Sequence, residues 1–141
     1  MMNLYEAIGC RHSVRKYTDR EVTEKLRGQI LSYFDKTSRL NDRIRVEAVI
    51  FDNTKKKADV HGLWKVDAPY YLAIYSDQEE GCERNAGYLM EQMVLYMTAK
   101  GIGTCYLGSV QPAQKVRGGK RCLMISRRPS GLRKTKVFFN S

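Results

Sequence analysis

The sequence has no hydrophobic run long enough to cross a membrane, since a spanning helix needs about 20 consecutive apolar residues. The first ten residues also lack a basic segment followed by an apolar stretch, which is the pattern of a secretory signal. We therefore expect a cytoplasmic protein that does not associate with membranes. The length of 141 residues and the hydrophobic fraction of 43% predict one compact domain.

Paired cysteines and metal-ligand patterns are absent as well. The four cysteines form no CxxC pair, and neither of the two histidines stands at ligand spacing from them. We interpret them as reduced thiols, mostly small core residues. The sequence thus predicts no metal site, and it contains no recognisable Ser-His-Asp triad or carboxylate pair. The four positions are Cys10, Cys82, Cys105 and Cys122.

Acidic residues are missing from the last part of the chain. Residues 112–141 contain nine Lys and Arg but no Asp or Glu, whereas the two charge signs nearly balance over residues 1–111. The net charge of +10 therefore lies almost entirely in one basic tail. Many nucleic-acid-binding domains instead present a uniformly basic face. A nucleic-acid-binding module that uses residues 115–136 stays open as the weaker alternative, because this segment has no recognisable binding motif.

The hydrophobic pattern predicts an α+β fold, in which helices pack against a central sheet. Apolar spacing favours a short helix over residues 3–9 and a second helix that Thr23 caps. A long helix over 83–100 ends at Gly101, and its methionines are interpreted as core residues. The polar stretch 52–67 is interpreted as a solvated loop. Strands are predicted at residues 44–51, 70–76, 102–107 and 121–126.

One segment near the start combines charges in a pattern that suits a phosphate group. If residues 11–15 are extended, side chains alternate, so Arg11, Ser13 and Arg15 share one side. Val14 then points towards the core. Two guanidinium groups flank a hydroxyl, and each can donate two charge-assisted hydrogen bonds to a dianion. A solvated basic loop is the alternative interpretation of so short a cluster.

Residues 4–22, LYEAIGCRHSVRKYTDREV, resemble the opening of the FMN-dependent nitroreductase family. That opening consists of a short helix, an Arg-x-Ser-x-Arg segment, a Tyr-Thr-Asp run and a second helix. The resemblance implies that Arg11, Ser13 and Arg15 bind the FMN phosphate. His12 stands where the family often has a second Arg, and it is expected to contribute.

Residues 85–110, NAGYLMEQMVLYMTAKGIGTCYLGSV, resemble the long central helix of the same family and the loop that follows it. In the family the backbone of this loop lies along the flavin ring near N5. Glycine allows such a close approach, and a backbone donor near N5 stabilises charge on the reduced flavin. The resemblance assigns this contact to Tyr106, Leu107, Gly108 and Ser109.

The resemblance covers residues 3–35 and 66–110, and it predicts one nitroreductase-like domain over residues 1–141. Its expected architecture is a central, mostly antiparallel sheet flanked by helices, followed by the atypical basic tail 112–141. Two departures stand out. Residues 36–47 lack the Asn-x-Gln-Pro-type segment that touches flavin in many members, and the chain is shorter at its C-terminal end than most members.

The function that the resemblance implies is FMN-dependent oxidoreduction. NAD(P)H would reduce the flavin, and a small-molecule electron acceptor such as a nitroaromatic or quinone would then take the electrons, with a homodimer as the working form. The flavin carries this chemistry, so no catalytic side chain is assigned. The first alternative is an FMN-binding protein without useful turnover, which keeps the phosphate ligands but lacks a complete substrate pocket.

Overall fold

The computed structural model describes residues 2–14, 22–53, 60–62, 68–77, 79–106, 110–112 and 121–128. None of the helices in these ranges combines the length and the apolar character that a membrane span needs. The elements follow the chain in the order α1 (Leu4–Cys10), α2 (Glu24–Lys36), β1 (Val46–Asp52), β2 (Val60–Gly62), β3 (Tyr70–Asp77), α3 (Cys82–Ala99), β4 (Cys105–Tyr106), β5 (Val110–Pro112) and β6 (Arg121–Arg128).

The main sheet has four strands in the order β1-β3-β6-β4, and each neighbouring pair is antiparallel. β3 is an interior strand, paired along its whole length with β1 on one side and β6 on the other. Residues 70–76 are all buried, which explains why this strand is a continuous apolar run rather than an alternating one. The predicted α+β fold with an antiparallel central sheet is confirmed.

A second, two-stranded sheet pairs β2 with β5 in antiparallel register. The interpretation of residues 52–67 as a loop is therefore wrong for residues 60–62. The partner of β2 lies 50 residues further along the chain, and such long-range pairing leaves little trace in a local hydrophobic pattern. The strand predicted at 102–107 is also shorter than expected, since only Cys105–Tyr106 pair with β6.

Side-chain caps begin the first two helices. The Asn3 side chain accepts a hydrogen bond from the Glu6 N–H at 2.8 Å, and the Glu6 carboxylate accepts one from the Asn3 N–H at 3.0 Å. These two bonds form a capping box. The Thr23 hydroxyl accepts from the Leu26 N–H at 3.3 Å, which confirms the predicted cap of α2.

Glycines in the left-handed region bracket α3. Gly81 precedes the helix at a φ of 79°, and Gly101 follows it at a φ of 74°. After the last turn the Gly101 N–H donates to the Thr98 carbonyl at 3.0 Å, and the Ile102 N–H donates to the Met97 carbonyl at 2.8 Å. Glycine reaches this conformation without the steric cost of a Cβ, so the predicted helix end at Gly101 is confirmed.

The core forms around one face of α3. Leu89, Met90 and Met93 are fully buried, and they pack with Ile30 of α2 and Leu72 of β3. The methionines of α3 therefore fill the core, as the sequence predicts. The α2–β1 loop is fastened to this helix by the Asn85 side-chain oxygen, which accepts from the N–H groups of Leu40 and Asn41 at 3.0 and 3.2 Å.

Helix α1 presents most of its apolar side chains to solvent. Ala7 is fully buried, whereas Leu4, Tyr5 and Ile8 are 38%, 84% and 61% exposed. The helix packs against α3 with its Ala7 side, so the apolar stripe lies away from the core. The sequence pattern predicts the helix correctly, but the core of this chain does not cover that stripe.

Replacing Leu89 with alanine should lower the free energy of unfolding by about 2–5 kcal/mol, because it leaves a cavity beneath α3. The measurement is urea unfolding followed by circular dichroism. Leu40→Ala is the matched control, since this leucine is 60% exposed and its truncation should change stability by about 0.5 kcal/mol or less. Equal losses in the two variants would contradict the placement of the core.

Candidate functional site

The segment that follows α1 is tied to the residue before β4. Arg11 ends the helix with extended backbone angles (φ −64°, ψ 124°), and its N–H donates to the Ala7 carbonyl at 2.8 Å. Ser13 then forms a parallel bridge with Thr104, and the Val14 N–H donates to the Thr104 carbonyl at 3.5 Å. Residues 91 positions apart in sequence are thereby brought side by side.

The side chains of this segment differ in their burial, and the predicted burial of Val14 is confirmed. Val14 is buried, whereas Arg11 and Ser13 are half-buried and His12 is exposed. The Nδ1 of His12 lies 3.0 Å from the Cys10 carbonyl oxygen, to which it donates, so the ring is held against the end of α1. Arg15 lies outside the described residues, and its place beside Arg11 stays a prediction.

Arg11 carries an unsatisfied donor. Its Nη1 atom is shielded from solvent and has no hydrogen-bond partner within the described part of the chain. A buried guanidinium N–H without an acceptor is costly, because removing a charged donor from water must be offset by a partner. The N–H is therefore suited to donate a hydrogen bond to an anionic group.

Thr104 carries a second unsatisfied group. The residue is 2% exposed, and its hydroxyl oxygen also has no hydrogen-bond partner among the described residues. The sequence analysis did not single out Thr104. Its only signal is its position directly before Cys105 and Tyr106, in the stretch where the strand was predicted.

Tyr106 links β4 to α3. Its hydroxyl donates a hydrogen bond to the carboxylate of Glu91. Burial raises the pKa of the Tyr106 phenol, the bond to Glu91 and its negative charge raise it further, and the positive charge of Arg11 opposes them. The phenol therefore stays protonated at neutral pH, and Arg11 lies close enough to act on it electrostatically.

Glu91 is a site residue that the sequence analysis missed. It is the only charged residue between positions 85 and 99 of α3, and it is half-buried. A lone carboxylate in an otherwise uncharged helix is a signal that could have directed attention to it. The other predicted flavin contacts, Leu107, Gly108 and Ser109, lie outside the described residues and remain predictions.

The described cysteines are free thiols, and they form no candidate metal site with other described residues. Cys82 and Cys105 are buried free thiols, as expected for core cysteines, whereas Cys10 is exposed at the end of α1. Among the residues that the structure describes, no three His, Cys, Asp or Glu side chains gather into a group that could hold a metal ion.

Comparison with known proteins identifies the family. The family model described as "Putative TM nitroreductase" matches residues 3–125, so the chain belongs to this nitroreductase family. A search of curated proteins gives no match. The match covers most of the chain and confirms the family that the sequence resembles.

Solved structures agree with this assignment. A nitroreductase family protein from Clostridium novyi NT superposes with a TM-score of 0.75 at 17% identity, covering 92% of this chain and 86% of that one. A nitroreductase with bound FMN from Bacteroides fragilis NCTC 9343 gives 0.55 at 19% identity, covering 74% and 69%. An iodotyrosine deiodinase bound to FMN and 3-iodo-L-tyrosine gives 0.61 at 15% identity, covering 92% and 90%. At these identities the structures show the shared nitroreductase fold.

The buried phenol should make part of the stability depend on alkaline pH. The folded-state pKa of Tyr106 lies above its ordinary value of 10.0, so above that pH the unfolded chain gains stability by losing a proton that the folded chain retains. The contribution of the protonated Tyr106 phenol to stability is fully present below pH 10.0. It is lost as the pH rises towards the pKa of this phenol in the folded protein. Tyr106→Phe removes it, so the stability gap to the wild type should shrink between about pH 8 and about pH 11.

Urea unfolding at the two pH values measures this gap. The control is Tyr5→Phe, because Tyr5 is 84% exposed and its gap to the wild type should be the same at both. A Tyr106→Phe gap that is constant across this range would show that the phenol is not held protonated by its surroundings.

Proposed function

We propose that this protein binds FMN through its phosphate group at the end of α1 and acts as an FMN-dependent NAD(P)H oxidoreductase. The observation that carries the proposal is the shielded Nη1 of Arg11, which has no partner among the described residues and lies in the segment that resembles the phosphate-binding opening of the family. FMN is present in the related Bacteroides fragilis structure, which supports the choice of ligand.

The residues at the site fit a phosphate. Arg11 supplies a positively charged fork whose unsatisfied donor needs an acceptor, and the half-buried Ser13 hydroxyl lies two residues further along the same segment. Arg15 is expected to supply the second fork. A dianion accepts several hydrogen bonds at once, and Arg presents paired donors in the matching geometry.

Bound FMN would supply hydride chemistry, taking electrons from NAD(P)H and passing them to a small-molecule acceptor such as a nitroaromatic or a quinone. The protein contributes binding and orientation. Arg11 and Ser13 hold the phosphate end, while the hydrogen bond from Tyr106 to Glu91 fixes the end of β4 against α3. The family resemblance assigns the contacts with the flavin ring to Tyr106 and to the three residues that follow it in sequence, Leu107, Gly108 and Ser109.

The proposed class of electron acceptor, a nitroaromatic or a quinone, is taken from the family resemblance. One fold relative is a deiodinase with 3-iodo-L-tyrosine bound, so the same fold serves more than one reduction. The alternative of an FMN-binding protein without useful turnover predicts full FMN affinity and no NAD(P)H oxidation. A nucleic-acid-binding module over residues 115–136 is less well supported, because residues 121–128 form a strand between β3 and β4.

FMN titration by flavin fluorescence tests the phosphate site. Arg11→Ala should weaken FMN binding by about tenfold or more, since a hydrogen bond to a charged group contributes about 1.5–3 kcal/mol and about 1.4 kcal/mol is a factor of ten. Riboflavin, which lacks the phosphate, should bind the variant and the wild type equally. Arg11→Lys should recover part of the loss, because it restores the charge without the fork. Arg15→Ala should resemble Arg11→Ala.

The control for this titration is Arg43→Ala, an exposed arginine in the α2–β1 loop, which should leave FMN affinity unchanged. Wild-type FMN affinity in Arg11→Ala would refute the phosphate site. NAD(P)H oxidation by the FMN-loaded protein, measured with a quinone and with a nitroaromatic acceptor, separates the enzyme from the binding protein without turnover.

We further propose that the exposed apolar stripe of α1, formed by Leu4, Tyr5 and Ile8, is covered by a second copy of the chain. Burial of such a stripe is favourable, and apolar patches of this kind mark protein interfaces. Nitroreductases form homodimers with shared active sites, as the family resemblance implies. Ile8 of this stripe stands three residues before Arg11, which caps the same helix, so a second copy bound there would approach the proposed phosphate site.

Tyr5→Glu should shift the protein from dimer to monomer in sedimentation velocity, because it places a charge within the apolar stripe. Leu40→Glu is the control, since Leu40 is an exposed apolar residue as well, at 60%, but lies in the α2–β1 loop. A wild type that sediments as a monomer at high protein concentration would rule out the proposed interface.

A further inference from the structure

We propose that the Thr104 hydroxyl is a further ligand of the bound phosphate group, contributed by the chain segment beside Ser13. This inference rests on the proposed FMN site and assigns it a donor from outside the N-terminal segment. The site would then be built from two chain segments, with charge from Arg11 and a neutral hydroxyl from each segment.

The backbone pairing places the two hydroxyls on one side. Ser13 and Thr104 are partners in a parallel bridge, and paired residues on neighbouring extended segments direct their side chains to the same face. The N–H of Val14 holds this pairing through its bond to the Thr104 carbonyl. A ligand that hydrogen-bonds to the Ser13 hydroxyl would therefore lie on the same face as the Thr104 side chain.

The Thr104 hydroxyl is an unsatisfied hydrogen-bonding group. It is shielded from solvent, and no described residue hydrogen-bonds to it. A buried hydroxyl without a partner destabilises the fold, so each such group calls for an explanation. The Arg11 Nη1 atom is unsatisfied as well, and one phosphate, with its several acceptor oxygens, can satisfy both donors.

Other threonines of this chain show what a structural hydroxyl does. Thr37 donates to the Phe34 carbonyl at 2.6 Å, and Thr98 donates to the Val94 carbonyl at 2.8 Å. Both bonds stay within one helical turn, where a carbonyl lies within reach. Thr104 precedes β4, and its hydroxyl makes no such bond with any residue that the structure describes.

Asn85 also carries an unsatisfied buried atom, its Nδ2, but its burial has a structural reason. The Oδ1 atom of the same side chain accepts from two N–H groups of the α2–β1 loop. The amide is therefore buried because it holds that loop, and the unsatisfied Nδ2 atom is a consequence of this burial. Among the described residues, none gives the Thr104 hydroxyl a comparable role, which favours a ligand.

Entry of the phosphate requires a local rearrangement. The Arg11 Nη1 and Thr104 hydroxyl atoms are both shielded from solvent, so the anion must displace what covers them. The Arg11 side chain has several rotatable bonds and is half-buried, and it can swing to meet the anion. The Thr104 hydroxyl oxygen moves only by rotation about the Cα–Cβ bond, which is restricted in a β-branched residue, while its proton turns freely towards an acceptor.

Thr104→Val tests the inference because it removes the hydroxyl at nearly constant volume. FMN binding should weaken by about tenfold, which corresponds to about 1.4 kcal/mol, while riboflavin binding should stay unchanged. The flavin-free variant should be more stable than the wild type, with Tm higher by about 3 °C, because an unsatisfied polar group is gone. Thr104→Ser keeps the hydroxyl and should restore FMN affinity.

Thr37→Val is the matched control, since the same substitution there breaks a hydrogen bond at the end of α2, in a segment that contributes no residue to the proposed site. It should lower the Tm of the flavin-free protein and leave FMN affinity unchanged. The two valine variants are therefore expected to have opposite effects on stability, and only one of them should affect phosphate-dependent binding.

Two outcomes would overturn the inference while leaving the proposed function intact. The first is wild-type FMN affinity in Thr104→Val when Arg11→Ala has lost affinity. The second is a lower Tm in flavin-free Thr104→Val, which would show that the hydroxyl has an internal partner such as a buried water. Failure of the wild-type protein to bind FMN would instead refute the proposed function itself.

Discussion

Burial of the apolar face of α3 is the constraint on which the rest of this structure depends. Leu89, Met90 and Met93 pack against β3 and α2, and this contact fixes the axis of the helix. Helix α1 packs on the same helix, and β4 follows it after the turn at Gly101. Both chain segments of the candidate site are thus positioned by α3, although α3 itself contributes only Glu91. A hydrophobic contact here determines where polar groups meet.

The sequence predicts those parts of the fold in which local chemistry and tertiary packing agree. Thr23 and Gly101 are correct predictions because a cap and a left-handed turn depend on neighbouring residues. The pairing of β2 with β5 escapes such analysis, since Val60 and Pro112 become partners only through the folding of everything between them. Propensity carries no information about which distant segment supplies the partner.

The candidate site likewise contains residues that local sequence predicts and residues that only the tertiary structure reveals. Arg11 and Ser13 are found from the sequence because their spacing in an extended segment already suggests an anion. Thr104 becomes a candidate only because it is bridged to Ser13, and Glu91 only because it accepts the hydrogen bond from Tyr106. The stripe on α1 is a third case, in which periodicity identifies the helix correctly but cannot distinguish an apolar face that is buried in the core from one that is exposed.

The spacing between Glu91 and Gly101 has its own consequence. An α-helix advances about 100° per residue, and left-handed turns at Gly81 and Gly101 fix both ends of α3. Inserting or deleting one residue after Glu91 would rotate its carboxylate by about a quarter turn relative to β4, away from Tyr106. Side chains on the outer face of the helix can change without this effect. Helical phase therefore constrains the number of residues here more than their identity, which is compatible with a shared fold at 17% identity.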